Sequence, residues 1–283
     1  MEVLLRRLIP KLRLYNYPLI IKIYEKYALL RYWNKFNKKI EFRGALFVIG
    51  KDVTLFPSVY LGTYESCELD ILLSQEFPEE LVFWDIGANV GLYSVLFAKK
   101  YPNSQVVSFE PNMQIHSLLS ENFEINKIKN ARIVPAALSN QIGQGSLDLN
   151  TKRAGAARIA SVEDSVVSSV SFPVTTGKDF LDTNPKLLPN LIKIDVEGHE
   201  PEVIDGIREI LRTYKPALTL EVFKNLWVSE RGGIWEGTIQ SLFSIYGKAL
   251  LVTDGEIRKI VKWDSDLLTG GMQTMIFGVN QHI

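Results

Sequence analysis

The chain has 283 residues, enough for one large α/β domain with an appendage or for two smaller domains. Its 46% apolar and 23% charged content excludes disordered, collagen-like and disulfide-stapled classes, and no run approaches the roughly 18 uninterrupted apolar residues of a membrane span. Cys67 is the only cysteine, which rules out an intrachain disulfide and makes a reducing, cytoplasmic compartment the expectation, and the net charge is zero.

That zero hides an asymmetry. Residues 1–39 carry ten Lys or Arg against two acids, a segment charge of +8 that leaves −8 on the rest. Leu4, Leu5, Leu8, Ile9 and Leu12, then Ile20, Ile23, Tyr24, Tyr27 and Leu30, recur at helical spacing, with Pro18 opening the second run. The pattern predicts a basic amphipathic helical arm over 1–45. It reads either as a contact with anionic lipid or an acidic partner through residues 1–39, or as a helical cap with solvated lysines. Charges break every apolar run too early for a signal peptide.

Residues 46–80 form a lead-in, with turns at Phe56-Pro57 and Leu61-Gly62-Thr63 and a helix over 68–75. From residue 81 short apolar runs (81–85, 106–110, 132–135, 191–195, 217–221) alternate with helical-period stretches. Such a βαβα rhythm predicts a mostly parallel sheet with helices on both faces. Runs 249–253 and 272–279 are expected to close the sheet as an antiparallel edge pair. Between 143 and 176 the rhythm breaks into a loop insertion, with strands at 146–150 and 171–175 flanking a Ser/Ala-rich stretch over 154–169, with Arg158 in it and Arg153 beside it.

Four of the five predicted parallel strands end on an acid: Asp85, Glu110, Asp195 and Glu221. Ligands of open parallel sheets bind outside the carboxyl ends of the strands. After the first strand comes Asp85-Ile86-Gly87-Ala88-Asn89-Val90-Gly91. Gly87 suits a tight turn and Gly91 a closely packed helix, while Asn89 replaces the second glycine of the dinucleotide pattern. Asp85 would repel a pyrophosphate and suits an ammonium group. Glu110, 23 residues after Gly87, stands where a carboxylate accepts hydrogen bonds from a ribose diol. A phosphate-free nucleoside joined to an amino acid, S-adenosylmethionine, satisfies both acids.

The chain resembles the FkbM-type class I S-adenosylmethionine-dependent methyltransferases over roughly residues 60–225. The resemblance is carried by Gly62-Thr63-Tyr64-Glu65, the Phe83 to Gly91 run, Phe109-Glu110-Pro111-Asn112, Asn122 to Asn126, Ala136-Ala137-Leu138-Ser139 and the Ile192 to Glu200 run. It implies a Rossmann-like seven-stranded sheet with one antiparallel strand in a domain covering 81–283, and residues 46–80 acting as a cofactor or substrate lid. Asp85, Gly87, Ala88, Asn89 and Gly91 would hold the methionine part and Glu110 the ribose. Pro111, Asn112, Ala137 and Leu138 would line the adenine, and Glu65 with Tyr64 would close over the cofactor. The implied reaction is O-methylation, of a hydroxyl on a sugar or glycosylated small molecule.

A sugar hydroxyl is a poor nucleophile, so a general base is expected in the cluster Asp195, Glu197, His199, Glu200 and Glu221. His199 has the side chain that ordinarily titrates near neutrality, and Asp195, Glu197 and Glu221 are the alternatives. These three carboxylates also read as an oxygen-rich Mg²⁺ or Ca²⁺ site or as a hydrogen-bonded network, and no metal is assigned. His116 and His282 read as structural. The acidic site region and the absence of a basic aromatic platform argue against a nucleic-acid partner. Alternative functions are O- or N-methylation of a secondary-metabolite scaffold, or a nucleoside-binding module at a membrane surface without turnover.

Overall fold

The computed structural model describes residues 39–50, 52, 55–148, 169–223, 232–268 and 272–280. The expected helical arm falls outside them up to residue 38. Where description begins, the chain forms an antiparallel hairpin, β1 (Ile40–Phe42) and β2 (Ala45–Phe47). Helices α1 (Leu55–Leu61) and α2 (Ser66–Ser74) lead into the main βα alternation. That alternation runs β3 (Val82–Ile86), α3 (Leu92–Lys100), β4 (Gln105–Phe109), α4 (Met113–Ile125) and β5 (Ala131–Val134).

The insertion then builds a small sheet of its own. Strand β8 (Ser169–Thr175) pairs parallel with β6 (Ala137–Leu138) and antiparallel with β7 (Gly143–Asp148). The Ser/Ala-rich centre with its two arginines lies outside the described residues. After α5 (Gly177–Thr183) the chain returns through β9 (Leu191–Ile194), α6 (Glu200–Gly206), α7 (Arg208–Tyr214), β10 (Ala217–Phe223) and α8 (Gly232–Tyr246). It ends with β11 (Ala249–Thr253), β12 (Glu256–Ile260) and β13 (Met272–Phe277).

The central sheet has the order β12-β11-β13-β10-β9-β3-β4-β5. Strands β10, β9, β3, β4 and β5 are parallel, as the alternation requires. The sheet has eight strands rather than seven, and 272–277 is not at its edge. Strand β13 inserts antiparallel between β10 and β11, and the edge belongs to β12. Strand β12 folds back on β11 through Asp254-Gly255, both in the left-handed region, a tight hairpin turn. Its Glu256, Ile257, Arg258 and Lys259 are exposed, so it carries almost no apolar signal, and its charges guard the open edge.

Alternation along each parallel strand divides the interior into two cores. Phe83, Val106, Leu191 and Ala217 face a core built with β1, β2 and α1–α4. Trp84, Val107, Ile192 and Leu218 face the other, built mainly with α5–α8. On the first face the side chains turn polar toward the carboxyl ends: Asp85 on β3, Lys193 on β9, Thr219 and Glu221 on β10, all buried. The core thus grades into a cluster of polar side chains at the end where an open parallel sheet takes its ligands.

Candidate functional site

The turn after β3 is built against β4 and the end of β9. The amides of Gly87 and Ala88 both donate to the Phe109 carbonyl, at 3.0 and 3.1 Å. Gly87 has φ +81°, and a β-carbon there would meet the Asp195 carbonyl oxygen at 1.9 Å. Asn89 is also left-handed, and its amide donates to Glu110 Oε2 at 2.9 Å. The other Glu110 oxygen accepts from the Asn112 amide at 2.8 Å, and the Asn112 side chain caps α4 through the Gln114 amide. Glu110 is therefore held by two backbone donors, each oxygen with a lone pair to spare. Burial pushes its carboxyl up to about 7, against those two bonds. His116 contacts the Glu110 carbonyl oxygen through Nε2 at 2.5 Å, which ties this structural residue to the strand end. Pro111 leads from Glu110 into the Asn112 cap, and Ala137 and Leu138 are buried in β6.

Asp85 is buried beneath the same turn. Its Oδ2 accepts from the Ser94 amide at 3.0 Å and the Ser94 hydroxyl at 2.6 Å, while Oδ1 has no hydrogen-bond partner among the described residues. Burial raises its pKa, and Lys193 opposes the rise.

A second group gathers where β9 and β10 open. Asp195 and Glu221 share a hydrogen bond, and Glu65, Asp195 and Glu221 each offer an oxygen within 4.8 Å of the others. Lys193 Nζ bonds Asp195 Oδ2 at 2.8 Å and lies 4.9 Å from the centroid of the Tyr93 ring. The Tyr93 hydroxyl donates to Glu65 Oε2 at 2.5 Å, and Tyr64 adjoins Glu65 in the chain. Burial would raise Asp195, but Lys193 and the proton of Glu221 hold it below its ordinary value. Burial and the neighbouring Asp195 charge hold Glu221 well above its own. Within the pair Glu221 is thus the member that favours its protonated form, and Asp195, bonded to Lys193, the member that favours its charged form. Burial disfavours the Lys193 ammonium, yet Asp195, Glu65 and Asp85 together outweigh that and raise its pKa.

The remaining acids of the β9 loop do other things. Glu200 is fully buried and accepts from the Val196 and Gly198 amides, both at 3.1 Å, which shapes the turn. Glu197 sits in that turn with φ +54°, half-buried. His199 turns toward the inserted sheet. Its Nε2 meets the Ser139 hydroxyl at 2.9 Å, and its Nδ1 lies 3.5 Å from Glu202.

The structure thus brings Asp85, Gly87, Ala88, Asn89 and Glu110 around one turn, and Glu65, Asp195 and Glu221 into one cluster, with His199 engaged elsewhere. Sequence reasoning overlooked Lys193, Tyr93 and Glu68. Lys193 had a visible signal: a charge inside the apolar run Leu191-Ile192-Lys193-Ile194, two residues before Asp195 and so on the same strand face. Glu68, in α2, is buried, and burial pushes its carboxyl up to about 7. Thr274 of β13 opposes that rise, and its approach had no sequence signal.

Known proteins resemble the chain over about half of its length. The chain is 29% identical over 144 residues to the hexuronic acid methyltransferase AglP of Haloferax volcanii, across 50% of this chain and 56% of that protein. It is 26% identical over 149 residues to Methyltransferase 1 of Beauveria bassiana, across 46% of this chain and 60% of that protein. The chain thus spans little more than half the length of these relatives. The crystal structure of the FkbM methyltransferase of Methylobacillus flagellatus superposes with a TM-score of 0.44 at 14% identity, over 78% of this chain and 54% of that one. The profile of the methyltransferase FkbM domain matches residues 85–260, from the acid of β3 to the end of β12. The chain belongs to the FkbM methyltransferase domain family.

Proposed function

We propose that the chain transfers a methyl group from S-adenosylmethionine to a hydroxyl of a sugar or glycosylated small molecule. The observation that carries the reading is Glu110, a buried carboxylate at the end of β4 bonded to the turn after β3. Its spare lone pairs suit the hydroxyls of a ribose. Asp85, with one buried oxygen unpartnered among the described residues, adds a hydrogen-bond acceptor beneath the turn that suits the ammonium of the cofactor. S-adenosylmethionine supplies an electrophilic methyl on a positively charged sulfur.

The chain's own part is to orient the acceptor and take its proton. Asp195 is ionised and its side chain 21% accessible, so it can accept an O–H bond from an acceptor. A hydroxyl oxygen becomes strongly acidic as it gains a methyl, so even a carboxylate of low pKa receives the proton at that moment. Glu221, whose carboxyl favours the protonated form, meets Asp195 from the β10 side. Positioning of this kind supplies on the order of 7–11 kcal/mol in favourable cases.

Charge favours a hydroxyl over a carboxylate as acceptor group. Among the described residues the cluster's ammonium is committed to Asp195, so an incoming carboxylate would face Glu65, Asp195 and Glu221. The hexuronic acid methyltransferase among the relatives supports a sugar acceptor.

Titration of S-adenosylhomocysteine into the purified protein tests the cofactor half of the reading. Micromolar binding that is lost in Glu110→Ala supports it, and no binding by well-folded protein moves the non-catalytic module to the front. A labelled methyl donor with neutral sugars, hexuronates and metabolite hydroxyls then tests the acceptor half.

A further inference from the structure

Strand β9 places a lysine among four consecutive buried residues. An ammonium taken out of water is unfavourable unless its charge is answered, so its surroundings must supply the answer. Lys193 Nζ is 2.8 Å from Asp195 Oδ2 and 4.9 Å from the centre of the Tyr93 ring. Lys193 is also the register partner of Asp85 on β3 and of Thr219 on β10. The Tyr93 hydroxyl extends the network to Glu65, and Glu221 joins Asp195 from the next strand. Every carboxylate of the trio thus connects to one ammonium, directly or through a single side chain.

By spacing alone the trio suits a hard divalent cation, with three oxygens inside 4.8 Å. Lys193 changes that arithmetic. A divalent ion on Asp195 would stand against an ammonium bonded to the same carboxylate, in a buried setting where like charges are poorly screened.

We infer that Lys193 is the built-in cation of this cluster, a positioning residue that sets the Asp195–Glu221 pair for the acceptor in the role a divalent metal plays in oxygen-ligand sites. The inference rests on the methyl-transfer reading for its effect on rate, though not for its effect on metal binding. With the ammonium in place one Asp195 oxygen is committed. Without it, three acids crowd within 4.8 Å with no fixed positive charge, and a divalent metal can take its place.

The test compares the full-length wild type with Lys193→Met, which keeps the aliphatic stem, and Lys193→Arg, which keeps the charge. Mn²⁺ binding is followed by calorimetry, and turnover is measured with and without EDTA. The wild type should keep its turnover in EDTA and show no Mn²⁺ site that Asp195→Asn removes. Lys193→Met should gain one Mn²⁺ site and lose about 100-fold in kcat, with little change in KM for the cofactor, and Lys193→Arg should recover part of the loss. EDTA-sensitive turnover, an Asp195-dependent Mn²⁺ site in the wild type, or wild-type turnover in Lys193→Met would each overturn the inference. If Lys193→Met does not fold, the wild-type Mn²⁺ and EDTA measurements decide it. Absence of methyl transfer to any acceptor counts against the transferase reading alone, and Mn²⁺ binding still decides the role of the ammonium.

Discussion

Gly87 and Asp195 approach so closely that a β-carbon on Gly87 would sit 1.9 Å from the Asp195 carbonyl oxygen. The Asp195 amide completes the contact by donating to the Ile86 carbonyl at 3.1 Å. The glycine turn and the carboxylate cluster are therefore one rigid unit, held backbone to backbone. Gly87→Ala adds both a clash and a residue disfavoured at φ +81°. It is expected to lower stability by at least about 2 kcal/mol and to weaken cofactor binding and turnover together. Gly237→Ala is the control, because it lies exposed in α8 with nothing within 4 Å of the added carbon. That change should stabilise by roughly 0.5–1 kcal/mol. Urea midpoints of both variants check the pair, and an unperturbed Gly87→Ala would refute the rigid unit.

Glu110 predicts a pH dependence with a definite sign. Its carboxyl is raised to about 7 in the folded protein, above the unfolded value of about 4.3. The folded chain therefore binds a proton that the unfolded chain has already released. Its contribution to stability is full below about pH 4 and is lost as pH rises through about 7. Glu110→Gln mimics the protonated form, so wild-type Tm should fall relative to this variant between pH 5.5 and pH 8 (roughly the span of the shift). Ribose hydroxyls donate to the ionised form. Binding of S-adenosylhomocysteine near pH 7 is thus expected to release a fraction of a proton in the wild type and none from this site in Glu110→Gln. Calorimetry in two buffers of different ionisation enthalpy reads the difference.

Asp195 and His199 separate two roles that the sequence left side by side. Asp195→Asn keeps the shape but removes the charge, and turnover should fall by about 100-fold or more while cofactor affinity changes by less than about threefold. Removing that charge also leaves Lys193 buried against a neutral amide, a cost of roughly 3 kcal/mol in unfolding free energy. His199, seated between Ser139 and Glu202, joins the β9 loop to the inserted sheet. His199→Gln retains a group that can bond Ser139 and should keep most of the turnover. Loss of turnover in His199→Gln equal to that in Asp195→Asn would put His199 back among the bases.

The readable parts of this chain were those whose signal is local. The parallel strands announced themselves as apolar runs. The turn residues followed them directly, and an acid lay at the end of four of the five runs. Lys193 escaped notice because a buried charge is explained by partners on three other elements, and only Asp195 is near it in sequence. Strand β12 escaped because an edge strand with an exposed, charged surface has no apolar alternation to detect, although Asp254-Gly255 did mark its turn. The bond of His199 to Ser139 spans 60 residues, and no spacing rule reaches across a βα excursion of that length. Within the first core, the same limit hid the partner of the most buried amide side chain.

That side chain is Asn122 of α4, which has no exposed surface. Its Oδ1 accepts from the Val48 amide at 2.7 Å, and its Nδ2 donates to the carbonyls of Val48 and Val90 at 3.0 and 2.8 Å. One turn later Asn126 repeats the clamp on Leu46, accepting from its amide and donating to its carbonyl. The two amides replace the strand neighbour that β2 lacks, and the Val90 bond ties the same helix to the exit of the glycine turn. Asn122→Ala leaves an amide and two carbonyls buried without these partners, at an expected cost of roughly 2–4 kcal/mol. Asn126→Ala, at the exposed end of the clamp, should cost about 1 kcal/mol. Because Val90 follows Asn89, whose amide supports Glu110, the first variant should also weaken S-adenosylhomocysteine binding and the second should not. Equal urea midpoints for the two variants would mean that the hairpin docks through its apolar side chains, Phe42 and Phe47, rather than through the asparagine clamp.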